Sequence, residues 1–290
     1  MEPNTQPLDD DNVHTVALHT AIAALLDPFS IARTFDLVDL RAKRCLDVGA
    51  GGGSFAHFLA NEVGPHGSVV ATDLKPCGIP QHPRLTVLPF DVTNDPVPGV
   101  FDYIHARLVL GHISGRREIL KRLIRALALG GVLLIEDWDT SRTDMVLHAP
   151  SLEAAEIYTA FQEILGGKPF EAAGTDRTWA RRIHGAMLDE GLTDVQTVMH
   201  AQAWPGGSAG CQVIQATLRR WVGRRGHETE SRDKLRHAGL AENHLRQVRS
   251  LLDDPRLVLA GHLLYSTSGR RGEAGKPEPF TIRGGTRLPW

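Results

Sequence analysis

The stretch CLDVGAGGGSFAHFLA, residues 45–60, places four glycines in five positions between an apolar run and an amphipathic one. No other part of the chain restricts the fold as strongly. An apolar strand that turns through glycines into a helix leaves main-chain N–H groups free in the turn, and glycine lets a ligand approach the backbone closely. Around this stretch, short apolar runs alternate with amphipathic ones: strands are predicted at 44–48, 68–72, 84–88, 100–105 and 131–136, and helices at 54–63 and 115–129. Runs such as GVLLIE are apolar throughout, as in parallel strands covered on both faces. The alternation predicts a doubly wound α/β sheet with its ligand at the C-terminal ends of the strands.

The flanks are helical. VHTVALHTAIAALLDPFSIARTFDLVDL reads as two helices, the second started by Asp27 as N-cap with Pro28 at its first position. We expect a single domain over 13–268, made of a helical cap at 13–40, a core at 41–140, and lid insertions at 141–175 and 203–255. Residues 1–12 are expected to be disordered and 269–290 to be a flexible tail, both poor in apolar groups. The helix at 115–129 should stop at Gly130 and turn Arg116, Arg117, Arg122 and Arg125 mostly to solvent.

A formal net charge of −2, with 42% hydrophobic and 23% charged residues, lacks the basic excess that polyphosphate partners require, so nucleic acid is not an expected substrate. No window holds 18 to 20 consecutive apolar residues and the first dozen residues are acidic, which points to a cytosolic protein without a membrane partner. Cys45, Cys77 and Cys211 show no CxxC spacing, so neither a disulfide framework nor a zinc site is expected, and Cys45 reads as a small core residue.

Two cofactor classes compete for the glycine loop. Dinucleotide sites want GxGxxG, which from Gly49 and Gly51 would put a glycine at 54; that residue is Ser54, and Gly53 completes GxGxG. Asp73 ends the next strand twenty-two residues after Gly51, where a carboxylate takes both ribose hydroxyls of either cofactor. The other reading of Asp73 is a helix cap. In LPFDVTND, Asp91 is placed to accept from an adenine amino group and Val92 to donate an N–H to the ring.

LDVGAGGGS, VVATDL, LPFDVTND, FDYIHARLVLGHI and ALGGVLLIEDWD, in that order, resemble the successive motifs of class I S-adenosylmethionine-dependent methyltransferases. The likeness covers residues 40–140 motif by motif. A looser similarity to the bacterial small-molecule type, the ubiquinone and menaquinone methyltransferases, extends to about residue 268. The resemblance, and not periodicity, implies a Rossmann-like seven-stranded sheet whose last strand, RLVLAGHLLYS, lies antiparallel between its two predecessors. It implies that Asp47, Gly49, Ala50, Gly51 and Gly53 surround the methionine part of S-adenosylmethionine, Asp73 and Leu74 the ribose, and Asp91 and Val92 the adenine. Ala106 and Arg107 would line the sulfonium side, S-adenosylhomocysteine would be the product, and no metal is needed.

Methyl transfer at an activated carbon asks the protein mainly for alignment, which supplies about 7–11 kcal/mol of a barrier. Loss of the acceptor's proton calls for a base, and His112, one helical turn beyond Leu108, is the first candidate, the alternative being local packing. His105, inside a strand, reads as a satisfied core residue. Asp137, Trp138 and Asp139 follow the fifth strand, with Trp138 as an aromatic wall for the acceptor and one of the acids as a cap for the next turn. His148 and Trp204 are further substrate candidates. Cap and lids enclosing the mouth imply a small, partly apolar organic acceptor with an O or N nucleophile, and a monomer or homodimer. Three alternatives stay open: an NAD(P)-dependent oxidoreductase, a protein that uses S-adenosylmethionine for a cyclisation or rearrangement, and a protein that binds it without turnover.

Overall fold

Side chains along β1 (Arg44–Val48) alternate between two buried faces, Cys45 and Asp47 on one, Leu46 and Val48 on the other. The computed structural model describes residues 10–76, 78–165, 174–222 and 242–272. It shows β2 (Ser68–Asp73), β3 (Leu85–Pro89), β4 (Phe101–Arg107) and β5 (Leu127–Asp139) paired in parallel with β1 in the order β3-β2-β1-β4-β5. Five further strands follow: β6 (Val146–His148), β7 (Leu192–His200), β8 (Ala203–Pro205), β9 (Val258–Ala260) and β10 (Leu263–Arg271). β10 enters antiparallel between β5 and β7, which completes a seven-stranded sheet with the expected inserted last strand. Strands β6, β9 and β8 form a separate antiparallel sheet.

On one face, Leu46, Val48, Ile104, Ala106, Leu133 and Ile135 pack on α3 (Arg116–Arg125) through Ile119, Leu120 and Leu123. On the other, Cys45, Val69, Tyr103, Val132 and Leu134 pack on Phe55 and Leu59 of α2 (Ser54–Glu62). Each fully buried Leu, Ile or Phe contributes about 1.5–3 kcal/mol, so the continuous apolar runs are what holds the sheet between its helices. A third core forms at the C-terminal ends of the strands. It joins Ala21, Leu25 and Leu26 of α1 (Asp10–Leu37) to Tyr158 and Phe161 of α4 (Leu152–Leu165), to Cys211 and Leu218 of α6 (Ala209–Val222), and to Val248 and Leu252 of α7 (Glu242–Asp253). The short helix α5 (Ile183–Asp189) leads into β7.

Several local expectations change. The two helices expected within 13–40 are one, α1, which begins at Asp10 and ends at Leu37, and Asp27 is not a cap: α1 runs through Pro28 without a break. A proline inside a helix costs about 3 kcal/mol, and four polar ties join the second half to the sheet. Arg107 Nη2 donates to Asp27 Oδ1 (2.6 Å), Ser30 Oγ to Glu136 Oε2 (2.5 Å) and Arg33 Nη2 to Ser268 Oγ (3.2 Å), while the hydroxyls of Thr34 and Tyr103 are 2.8 Å apart. Val13–Leu37 is also long and apolar enough to cross a membrane by length and composition, although Asp27, Ser30, Arg33 and Thr34 interrupt its apolar residues.

Helix α3 ends at Arg125, earlier than Gly130, because Leu127 already pairs with Phe101 of β4; Gly130, at φ +73°, is a corner within β5. Its arginines are not simply solvated. Arg122 Nη1 donates to Thr93 O (2.9 Å), and Arg116 Nε donates to Leu110 O (3.1 Å). The single strand expected near 256–267 divides into β9 and β10, and β10 continues to Arg271, into the segment expected to be a tail. Cys77 lies outside the described residues.

Candidate cofactor and acceptor site

The glycine loop leaves β1 at Gly49 and enters α2 at Gly53, both with left-handed backbone (φ +68° and +78°). A Cβ added at Gly49 would stand 2.4 Å from Val109 Cγ2, and one at Gly53 2.6 Å from Ile79 Cγ2. Val109 and Ile79 thus pack directly on the turn, and neither position has room for a side chain. The loop is tied to β2 by Ala50 N–H donating to Thr72 O (2.9 Å) and closed by Gly53 N–H donating to Ala50 O (2.8 Å). The ring of His19, on α1, lies 3.2 Å from where a Cβ on Gly51 would be, so the N-terminal helix covers the loop.

Asp73 stands at the end of β2 beside this loop. Its Oδ2 accepts from Gly51 N–H (3.1 Å) and its Oδ1 from Lys75 N–H (3.1 Å), so it caps no helix; Leu74, next to it, is 68% exposed. Asp91 accepts from Thr93 N–H (2.8 Å), Thr93 Oγ1 (2.5 Å) and Asn94 Nδ2 (2.8 Å). The bonds from Thr93 and Asn94 hold its carboxyl below the usual range. A carboxylate has about four lone-pair sites, so one acceptor position is left for a ligand. The side chain of Val92 is buried in the core on the α3 face.

At the tip of β4, Ala106 turns its methyl into the α3 core, whereas Arg107 points to the α1 face. The Arg107 guanidinium donates to Asp27 Oδ1 and to Ser30 Oγ (2.9 Å) and sits 5.6 Å from the centre of the Phe55 ring. Its charge is thus met by α1. Behind it, Asp47, His105 and Glu136 form a buried row across β1, β4 and β5. His105 Nδ1 lies 2.7 Å from Asp47 Oδ1 and Nε2 lies 3.3 Å from Glu136 Oε2. His105 is the satisfied core residue its position suggested. Of its two carboxylate partners Asp47 was expected in the site, whereas Glu136, together with His19 and Ser30, was missed, and only the polar interruptions of otherwise apolar runs hint at these three.

After β4 the chain makes one helical turn, Leu110–His112, held by three groups. Arg116 donates to Leu110 O, Gly111 N–H donates to Asp137 Oδ2 (3.2 Å), and Asp176 N–H donates to Gly111 O (2.8 Å). His112 ends this turn exposed at the surface; partial desolvation by the turn, and then the charge of Arg116, keep its pKa below the ordinary value, so the ring is neutral near pH 7. Asp137 is buried beneath the turn, and burial pushes its pKa up to about 7 despite the N–H bonds it accepts.

The remaining acceptor candidates separate. Asp139 accepts from Ser141 N–H (2.9 Å) and Oγ (2.6 Å) and pairs with Arg181, so it is the acid that caps the next turn. Trp138 faces the third core and meets Trp204 (ring centres 6.0 Å apart) and His262 (5.6 Å). Trp204 is 3% exposed, wedged where a Cβ on Gly210 would come within 2.2 Å and one on Gly261 within 2.5 Å of its indole. His148 is exposed on β6, paired in the small sheet with Val258. Trp138 and Trp204 are brought together, and His112 and Asp137 are placed on the opposite face of the sheet from Trp138.

A doubly wound sheet with one antiparallel insertion and a glycine loop at the end of its first strand defines the Rossmann-like methyltransferase fold. The family model described as a methyltransferase domain matches residues 18–231, and the chain belongs to that family. It is similar to methyltransferase str2 of Strobilurus tenacellus (37% identical over 129 residues, 42% of this chain and 44% of that protein). Similarity to methyltransferase str3 of the same organism is 34% over 139 residues, 46% of this chain and 47% of that protein. The chain therefore spans about half the length of the curated relatives it matches. Among solved structures, Haemonchus contortus phosphoethanolamine N-methyltransferase 2 in complex with S-adenosyl-L-methionine aligns with a TM-score of 0.51 and 16% identity, over 93% of this chain and 59% of that one. That likeness shows a shared fold.

Proposed function

We propose that this chain is an S-adenosylmethionine-dependent methyltransferase that methylates an O or N nucleophile of a small, partly apolar organic molecule and releases S-adenosylhomocysteine. The observation that carries this reading is the glycine loop between β1 and α2 with the Asp73 carboxylate at its lip. The acceptor set fits the cofactor: the Asp73 carboxylate for ribose hydroxyls and a further one, Asp91, with an acceptor site to spare. Asp47, Gly49, Ala50, Gly51 and Gly53 would hold the methionine part, Asp73 and Leu74 the ribose, and Asp91 and the Val92 main chain the adenine. Bound there, the cofactor supplies a methyl group already activated by positive sulfur.

What the chain's own residues do is align and enclose. Arg107 is neutralised by Asp27 and so does not repel a cationic ligand at the tip of β4. Leu108 and Trp138, partly buried in the third core, give the acceptor side an apolar and aromatic wall, which supports a small organic acceptor. The wall is also compatible with the finer placement among quinone-type methyltransferases. His112 is neutral but lies on the opposite face of the sheet from Trp138, so it can take the proton only of an acceptor whose nucleophile approaches from the α3 side. The four polar ties of α1 to the sheet support its use as a cap and not as a membrane span.

Isothermal calorimetry decides the cofactor: heat with S-adenosylmethionine and none with NAD is expected, and the reverse would refute the reading. Asp73→Ala should weaken S-adenosylmethionine binding by about tenfold or more, since charge-assisted bonds contribute roughly 1.5–3 kcal/mol; unchanged affinity would remove Asp73 from the ribose role.

A further inference from the structure

Under the glycine loop lies a row of buried charges that alignment and enclosure leave unexplained. His105 bridges the Asp47 and Glu136 carboxylates at 2.7 and 3.3 Å, and all three residues are at most 3% exposed. A neutral imidazole has one N–H and can donate to one carboxylate; the imidazolium donates to both. The ring also packs on Phe55, in the first turn of α2, with ring centres 4.0 Å apart. One side chain thus touches β1 and α2, which the loop joins, and β5.

The row continues into the N-terminal helix. Glu136 accepts from Ser266 Oγ (2.8 Å) and from Ser30 Oγ, and Ser30 in turn accepts from Arg107, which also holds Asp27. Further charged or titratable groups on this face are Arg33 of α1, which donates to Ser268 Oγ, Tyr103, whose buried phenol is hydrogen-bonded to Thr34 and stays neutral, and Cys45, whose thiol burial keeps protonated. Burial works against a charged His105 ring, but the bonds to Asp47 and Glu136 outweigh it and raise its pKa above the ordinary histidine value. Apolar side chains of similar volume usually serve a core as well as or better than buried ions. Filling space therefore does not account for the row.

We propose that His105 is a positioning residue for the cofactor: as an imidazolium it holds the Asp47 carboxylate at the root of the glycine loop and, through Glu136 and Ser30, seats α1 over that loop. The inference rests on the S-adenosylmethionine reading of the loop. His105 touches no ligand; it acts through Asp47 and α1.

The test pairs ring-nitrogen NMR of the histidine with calorimetry against S-adenosylmethionine over a pH series. In the wild type, both ring nitrogens of His105 should stay protonated at neutral pH, and affinity should fall as pH rises through the ring's raised pKa. His105→Gln keeps one hydrogen bond but cannot carry the proton; it should bind about tenfold more weakly at mildly acid pH and lose that alkaline limb. The amino group of the ligand titrates identically with both proteins, so the difference between the two profiles belongs to the protein. Glu136→Gln, which keeps the packing and removes one anion, should move the limb to lower pH, and it serves alone if His105→Gln does not fold. A neutral ring at pH 7, parallel profiles, or an unmoved limb in Glu136→Gln overturns the inference while leaving the cofactor assignment intact. Absence of heat with the wild type overturns the cofactor assignment itself.

Discussion

At Gly49 a methyl group has nowhere to go: Val109 Cγ2 would lie 2.4 Å from it, and the backbone sits at φ +68°. Gly49→Ala should cost about 1–2 kcal/mol from the left-handed backbone alone, with further loss from the contact, and should weaken cofactor binding. Denaturant unfolding checks the first and calorimetry the second; wild-type stability would mean that Val109 yields without cost. Leu108 is strained in the same sense, a bulky residue at φ +56° at the tip of β4, where it packs beside Trp138 in the third core. The positions of Asp73 and the glycines were readable from spacing, because they depend on neighbours along β1, the turn, α2 and β2. Glu136 was not: its partner Ser30 is 106 residues away, and GVLLIE reads as a strand whatever its last residue meets.

At the scale of elements, α1 is where reading and structure diverge most. A proline with an acid before it is the signature of a new helix, yet α1 continues unbroken through Pro28, with ties from Asp27, Ser30, Arg33 and Thr34 to three strands. These are long-range bonds, and local propensity carries no information about them. Asp27→Ala leaves the nearly buried Arg107 without its carboxylate, which should destabilise the protein by on the order of 3 kcal/mol and loosen α1 from the sheet. Hydrogen exchange should then rise in α1 first; uniform exchange with an unchanged melting temperature would contradict this. The basic stripe of α3 changes meaning for the same reason. Arg116 and Arg122 reach carbonyls of the turn after β4 and of the Asp91 loop, so the helix fixes two loops of the mouth.

For the molecule as a whole, Asp137 sets a pH dependence. Its folded pKa is raised from 3.8 to about 7 by burial, so the folded state keeps a proton that the unfolded chain gives up. Stability from this group is complete below about pH 4, falls as pH rises from there to about 7, and is a constant penalty above, on the order of a few kcal/mol. Asp137→Asn keeps the acceptor for Gly111 N–H and removes the charge, so it should melt higher than the wild type at pH 8 and level with it near pH 4; parallel melting curves across pH would refute this. The sequence by itself determined the parallel core, the glycine turn, the acid on the second strand and the order of the motifs, since each shows as a continuous apolar run or as a spacing along the chain. Tertiary structure alone decided that β9 leaves for a second sheet, that α1 stays whole, that Trp138 and Trp204 meet, and that His105 sits between two carboxylates. Those outcomes depend on which distant groups share a buried face, where an unpaired charge or polar atom costs more than any local preference can offset.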